Sequence, residues 1–323
     1  MKKYTPFTSV LLLSIVFISL FTFWSNEHAE NISVLENLKE KYTIFALPKP
    51  TKNLYFANER APIENPDIWE RYDKELLKNT YWQSNTLLLH KRAAKYFPII
   101  EPILKEKNIP DDFKYLALIE SGLENVTSPA GAKGFWQIMK STAKEFGLEV
   151  NSEIDERYHL EKSTNVACDF LSSANEKFGS WTLAAAAYNM GRSGLQRQLD
   201  RQKSNNYYDL LLNDETSRYI FRILAIKEII ENPEKYGFQF RNEDLYKHIP
   251  TYTVRVDSSV SSWADFSAKL GINYKILKIH NPWLRQSYLT NSAAKNYDIK
   301  IPSSDAYNLN IQKASSESIP LNE

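Results

Sequence analysis

From residue 66 to about residue 236, apolar positions recur at three- and four-residue spacing with few β-branched runs. Pro98, Pro110, Gly122, Gly147, Gly179 and Gly191 fall where these stripes break off. The pattern predicts one all-α domain over residues 66–242. After Asn242 the texture changes. Tyr252-Thr-Val-Arg-Val256 alternates as a strand does, and Ser262 to Gly271 opens with an N-cap serine and stops on glycine. Tyr274–His280 predicts a second short helix, and Tyr297-Asp-Ile-Lys-Ile301 another strand. The expected fold class is therefore mainly α, with a small βααβ module over residues 250–303 that is feasible when tethered to a larger domain. Residues 304–323 read as a polar tail.

The N-terminal 24 residues break this pattern. Lys2 and Lys3 precede a nearly unbroken apolar run from Val10 to Trp24, which reads as an export signal in preference to a buried helix. No small-x-small cleavage site follows it, so an uncleaved membrane anchor, near the minimum spanning length of roughly 18 residues, is the alternative to a removed signal. Either form puts the remainder outside the cytoplasm, in the periplasm. Residues 25–65, broken by Pro48, Pro50 and Pro62, read as a linker and approach segment.

Composition narrows the classes. With 323 residues, 43% of them hydrophobic, the chain can build one sizeable core or two unequal domains. Lys and Arg number 40 against 39 Asp and Glu, which gives none of the basic excess a nucleic-acid partner requires. Cys168 is the only cysteine, so no intramolecular disulfide, no cysteine pair for zinc and no lipidated N-terminal cysteine is available. It reads as a small core residue. Nothing in the pattern asks for a metal or a cofactor.

One carboxylate stands out. Asp111 is a candidate cap for a helix running from Asp112 to about Glu120, on which Phe113, Leu116, Ala117 and Glu120 share a face. Tyr115, Leu118 and Ile119 make the other side apolar too, so the helix should be buried and Glu120 should face the core. Desolvation and the helix C-terminus would both raise its pKa. A carboxyl that keeps its proton near neutral pH can act as general acid, then as base; the competing reading is a structural Glu paired with an Arg or capping a neighbouring helix. Downstream, Gly134-Phe-Trp-Gln-Ile138 offers a close backbone approach at Gly134 and a donor-acceptor pair at Gln137, which suits a sugar or an ordinary turn. In Trp181-Thr-Leu-Ala-Ala-Ala-Ala-Tyr-Asn-Met-Gly191 the alanines allow close helix packing, and Tyr188 and Asn189 could stand beside a carboxylate or simply end a packed helix.

Taken in order, Glu120-Ser121, Gly134-Phe-Trp-Gln-Ile138, Ala186-Ala-Tyr-Asn-Met-Gly191 and Glu215-Thr-Ser-Arg-Tyr219 resemble the motifs of the soluble-lytic-transglycosylase catalytic domain, which is related in fold to goose-type lysozyme. Asn79–Thr86 and Ile109–Glu120 are similar to the membrane-bound lytic murein transglycosylase D group. The resemblance, over roughly residues 55–300, implies that Glu120 is the sole catalytic acid/base. It implies that Gln137, Tyr188 and Asn189 line a glycan site, with Glu215 and Tyr219 contacting substrate or shaping its groove. Ser128 is similar to the family serine that assists the departing sugar hydroxyl, although its distance from Glu120 is one residue short of the usual spacing. Glu124, Asp155, Glu156 and Glu161 are further carboxylates of the domain, none in an equally buried pattern. The implied reaction is non-hydrolytic cleavage of the MurNAc-β-1,4-GlcNAc bond of peptidoglycan to leave 1,6-anhydro-MurNAc ends, by a monomer acting on glycan strands. A hydrolytic muramidase and a non-catalytic wall-binding scaffold are the alternatives.

Residues 252–302 resemble a LysM domain, which binds N-acetylglucosamine. Asn281-Pro-Trp-Leu284 and the closing strand fit, whereas Asp257-Ser-Ser-Val260 replaces the Gly-Asp that often follows the first strand. The module reads equally as a glycan-binding tether and as a packing appendage.

Overall fold

The computed structural model describes residues 44–50 and 53–307. The N-terminal segment expected to direct export and the tail beyond residue 307 lie outside the described residues. No helix among the described residues is long and apolar enough to cross a membrane. Residues 44–48 belong to a separate unit and carry no regular secondary structure.

The segment expected to be a linker contains a β-hairpin. Strands β1 (Leu54–Phe56) and β2 (Glu59–Ala61) pair antiparallel, with Ala57 and Asn58 both at positive φ, as a tight two-residue turn requires. Three residues per strand and an Ala-Asn turn give no alternation long enough to read. The hairpin is anchored by buried Phe56, edge-on to Phe113, and by Asp112, which accepts from the Ala57 amide at 2.7 Å.

Helices α1 (Pro66–Tyr81) and α2 (Gln83–Glu106) follow, separated by a break at Trp82. Pro98 was expected to stop a helix, but α2 runs through both Pro98 and Pro102. Both prolines are on the solvent face, where water can satisfy the carbonyls of Ala94 and Pro98 that lose their helical donors. Asp111 caps no helix: residues 111–113 form a 3₁₀ turn, Asp111 pairs with Lys114, and α3 begins at Lys114 and ends at Ser121.

The remaining helices are α4 (Lys140–Glu145), α5 (Leu160–Phe178), α6 (Trp181–Met190), α7 (Arg192–Gln202) and α8 (Asp214–Glu231). Ser180 caps α6 and Asn213 caps α8 through their side-chain oxygens. The hairpin completes the α6 cap, since the Glu59 carboxylate accepts from the amides of Trp181 (2.6 Å) and Thr182 (2.9 Å). Ala184, Ala185, Ala186 and Ala187 are fully buried, which lets α5, α7 and α8 close around α6. Helix α8 in turn packs along α1 and against α3. Cys168 is a free, buried thiol on α5.

The C-terminal module has the order β3 (Thr251–Val256), α9 (Trp263–Lys269), α10 (Tyr274–His280), β4 (Tyr297–Pro302). The strands pair antiparallel from Thr251↔Pro302 to Val256↔Tyr297. Buried Asn281 joins α10 to β4, donating to the carbonyls of Leu277 and Lys300 and accepting from the Lys300 amide at 2.8 Å. The module is docked against the helical domain. Ile154 and Tyr158 of that domain sit in the module's own apolar core, the Asp155 amide donates to the Trp283 carbonyl (2.9 Å), and the Arg285 amide to that of Glu153 (2.7 Å).

Candidate active site

Glu120 is the penultimate residue of α3. Gly122, at φ +62°, ends that helix, and its amide donates to the Leu118 carbonyl at 2.9 Å. The half-buried Glu120 lines a groove of about 910 Å³ between the α1–α2 break and the start of α8. Three residues of α8 spaced by four and three, and so on one face, meet it. Fully buried Tyr219 donates its hydroxyl to Glu120 Oε1. Arg222 donates to the Ile119 carbonyl at 2.6 Å, so its charge stands near the carboxyl while its hydrogen bond is spent on the backbone. Glu215 lines the same groove.

Burial raises the pKa of Glu120 above its ordinary value. The hydrogen bond from Tyr219 and the Arg222 charge work against that rise and the Glu215 charge adds to it, with burial winning. Burial, reinforced by the Glu120 charge, keeps the phenols of Tyr219 and Tyr188 protonated well above their usual value. Tyr219 therefore remains a donor to the carboxyl across the physiological range.

The structure gathers some of the predicted residues and separates others. Glu120, Glu215 and Tyr219 come together, and Asn189 joins them by donating to Glu215 (3.1 Å) while accepting from the Thr216 hydroxyl (2.7 Å). Tyr219 is buried beneath the carboxyl, so it holds Glu120 and does not reach the groove surface. Tyr188 is close enough to Glu120 to feel its charge, and donates its hydroxyl to the Trp136 carbonyl at 2.7 Å.

Ser128 and Gln137 were expected to line a glycan site but are not among the groove-lining residues. The Ser128 hydroxyl accepts from the Ala132 amide at 3.0 Å inside its own turn. The Gln137 amide nitrogen donates to the carbonyls of Gly134 (2.8 Å) and Val126 (3.2 Å). The loop closes on itself because Gly134 and Gln137 both take positive φ, which folds Lys133 against Ile138 and buries Phe135 and Trp136. The close approach at Gly134 is made by protein: a Cβ there would lie 2.0 Å from the Arg157 carbonyl oxygen. This loop is pinned to the end of α3 by Ser121, which donates to the Phe135 carbonyl at 2.8 Å.

Two of the remaining carboxylates are more buried than their pattern suggested. Asp155 and Glu156 are nearly inaccessible, but each has a cation: Arg157 chelates Asp155 with two bonds of 2.8 Å, and Lys162 pairs with Glu156. Neither lines the groove. Among the described residues no cluster of His, Cys, Asp and Glu is arranged to hold a metal.

Sequence reasoning missed Arg222, although its spacing from Glu215 and Tyr219 was a readable signal. It also missed the pair between buried Glu75 on α1 and Arg218 on α8 (2.6 and 3.1 Å), which locks two groove walls together across 143 residues and leaves no local trace. The α1–α2 contribution to the groove, including Asn79, Trp82, Asn85 and Arg92, was missed as well.

Two family descriptions match the chain: transglycosylase SLT domain over residues 97–211, and soluble lytic transglycosylase C-terminal LysM-like domain over residues 252–305. The chain carries an SLT domain and a LysM-like domain. Membrane-bound lytic murein transglycosylase D of Escherichia coli strain K12 is 30% identical over 260 residues, which is 79% of this chain and 56% of that protein. The same protein of strain O6:H1 matches equally. The chain thus spans a little over half the length of these curated relatives. Among solved structures, the 70 kDa soluble lytic transglycosylase Slt70 of Escherichia coli covers 47% of this chain and 27% of its own, at 22% identity and a TM-score of 0.38. The SLT match contains Glu120 and the 134–138 loop, whereas Glu215, Arg222 and Trp82, which complete the groove from either side, and Tyr219 beneath it lie outside the matched residues.

Proposed function

We propose that the chain is a peptidoglycan lytic transglycosylase in which Glu120 is the acid/base. The observation that carries this reading is the geometry of Glu120, a carboxyl withdrawn from water at the end of α3, held by the Tyr219 hydroxyl and lining an open groove, with burial raising its pKa. The SLT domain and the 30% identity to a lytic murein transglycosylase support peptidoglycan as the substrate.

Glu120 protonates the bridging oxygen of the MurNAc-β-1,4-GlcNAc bond as the bond from that oxygen to the muramyl anomeric carbon breaks. The resulting carboxylate takes the proton of the same muramyl residue's 6-hydroxyl while O6 bonds to the anomeric carbon. The product ends in 1,6-anhydro-MurNAc, Glu120 regains its proton, and no water is consumed. A second carboxyl acting as base or nucleophile, the usual glycosidase requirement, is not needed. Tyr219 steadies the carboxylate form, and Arg222 supplies positive charge beside it without binding it directly. The scaffold alternative requires Glu120 locked by a cation, but its hydrogen bond comes from a neutral phenol.

Of the other carboxylates that line the groove, Glu75, Glu124, Asp214 and Glu215, the last gives the hydrolytic muramidase a specific foothold, because its charge acts on Glu120. Its engagement with Asn189 favours a wall role. Digestion of purified sacculi with mass analysis of the released disaccharide-peptides decides between them. Products lighter by one water than the hydrolytic ones are expected, and hydrated products would sink the transglycosylase reading. In this proposal the protein works as a monomer in the periplasm, exported by its N-terminal segment and anchored if that segment is retained.

A further inference from the structure

Of the tryptophans among the described residues, Trp82 alone is exposed, at 64%. Trp136, Trp263 and Trp283 are buried, while Trp69 and Trp181 are part-buried with aromatic neighbours. Among the described residues the Trp82 ring has no aromatic or cationic partner. It stands in the break between α1 and α2, at φ −89° and ψ 59°, and the flanking helices fix its backbone: its amide donates to the Lys78 carbonyl and its carbonyl accepts from the Thr86 amide, both at 3.0 Å. Thr86 is itself buried and donates its hydroxyl to the Asn79 carbonyl. The break is therefore built, and it aims a large apolar ring at water.

That ring lines the same groove as Glu120. Trp82, Asn85, Leu89 and Arg92 follow one another at spacings of three, four and three, which places them in one stripe along α2. At the far end of the stripe Arg92 donates to the Gly122 carbonyl at 3.2 Å, beside the end of the helix that carries Glu120. Trp82 and Arg92 are ten positions apart, which sets their backbones about 15 Å from each other along the helix. This is a span of several pyranose rings.

We infer that Trp82 is a distal glycan subsite, a stacking platform for a sugar ring several residues from the scissile bond. The inference rests on the glycan-cleaving reading of the groove. The axial C–H face of a pyranose is apolar and meets the face of an indole, whose negative quadrupole favours it. The equatorial hydroxyl and acetamido groups then project sideways, toward the amides of Asn79 and Asn85 in the same wall. A platform fixed by backbone hydrogen bonds costs little to order when the ligand arrives. The open face of the ring and the neutral amides of Asn79 and Asn85 suit the carbohydrate backbone as its occupant, whereas Lys78 in the same wall is the cation that a peptide-stem carboxylate would use.

The test measures binding in the full chain with Glu120→Gln, which removes turnover. Peptide-free glycan strands and chitin oligosaccharides long enough to span the groove are titrated calorimetrically, alongside the disaccharide. Adding Trp82→Ala should weaken the long ligands about tenfold, and Trp82→Phe should restore most of that loss. The disaccharide affinity should be the same with and without Trp82→Ala. In the otherwise native enzyme the same substitution should raise KM on long strands more than it lowers kcat. Equal affinity of the long ligands for both proteins overturns the subsite, as does a loss confined to strands that carry peptide stems. The failure of the catalytic reading looks different: hydrated products or an undiminished rate in Glu120→Gln, with the tenfold binding difference intact.

Discussion

Glu120 and Glu161 are two helix-borne carboxylates partly withdrawn from water in the same domain, and they end with opposite acidities. Burial dominates at Glu120 and raises its pKa. At Glu161 burial pulls the same way, but His159 and Lys300 outweigh it and bring the carboxyl down to about 2. Asp155, against the same module, is likewise lowered by Arg157 and Lys133 in spite of burial. Desolvation therefore decides the outcome only where a bonded cation is withheld. The groove withholds it by giving Glu120 a phenol and turning the Arg222 guanidinium onto the Ile119 carbonyl. The module interface supplies cations and turns its carboxylates into fasteners.

The comparison breaks first, and furthest, at Glu120. Replacing it with Gln should lower turnover of sacculi by about 10²–10⁴-fold. The same change should stabilise the fold, with the sign set by linkage. A folded-state pKa raised above the unfolded value means that the charged form is disfavoured once the pH passes through the folded value, so the penalty is present above it and absent in acid below the ordinary carboxyl range. Glu120→Gln should therefore melt higher than the parent at neutral and alkaline pH and the same at low pH; scanning calorimetry across pH checks it. An equal or lower melting temperature at neutral pH would show that the carboxylate is compensated.

On the other side, Arg157→Met should cost about 3–5 kcal/mol in urea unfolding, because it strands a buried Asp155. Arg157 also donates to the carbonyls of Gly131 (3.1 Å) and Ile138 (3.3 Å), so the loop beside Glu120 loses its support and activity should fall with stability. Adding Asp155→Asn should recover part of the loss. If the single and double variants unfold alike, the cation is no fastener.

Much of this contrast was legible in the chain, and the rest was hidden for identifiable reasons. The apolar helix around Glu120, the helix-ending glycines and the βααβ order all rest on local periodicity, which sequence carries directly. The Glu215-Tyr219-Arg222 face was half read, since the motif stopped at Tyr219 while the next turn held the third member. Partners far apart in sequence left no trace: Glu75 with Arg218, Lys300 with Glu161, Ile154 inside the module's core. The 134–138 loop stayed open in the sequence because glycine, aromatic and glutamine fit a sugar site and a self-closed turn equally well. The positive φ at Gln137 and the carbonyl of Arg157 against Gly134, which form the turn, leave no local trace.

A smaller change sharpens the groove side. Tyr219→Phe removes one hydrogen bond to a charged group, and should cost about tenfold in kcat/KM. Because that bond lowers the Glu120 pKa, its loss raises it further, and the alkaline limb of the pH–rate profile should move to higher pH. A limb that stays in place would mean the phenol does not bond the carboxylate during turnover.

Glu215→Gln is the finest test, since the Glu215 charge is the weakest of the influences on Glu120 and the group is exposed. Removing a negative neighbour lowers the Glu120 pKa, so the alkaline limb should shift toward acid, opposite to Tyr219→Phe. The rate below that limb should change by less than about threefold, because Gln keeps an oxygen to accept from the Asn189 amide. A water-activating base cannot be replaced so gently: under the hydrolytic alternative the same substitution would abolish turnover at every pH. The two substitutions together thus separate a carboxylate that tunes Glu120 through space from one that takes part in the chemistry.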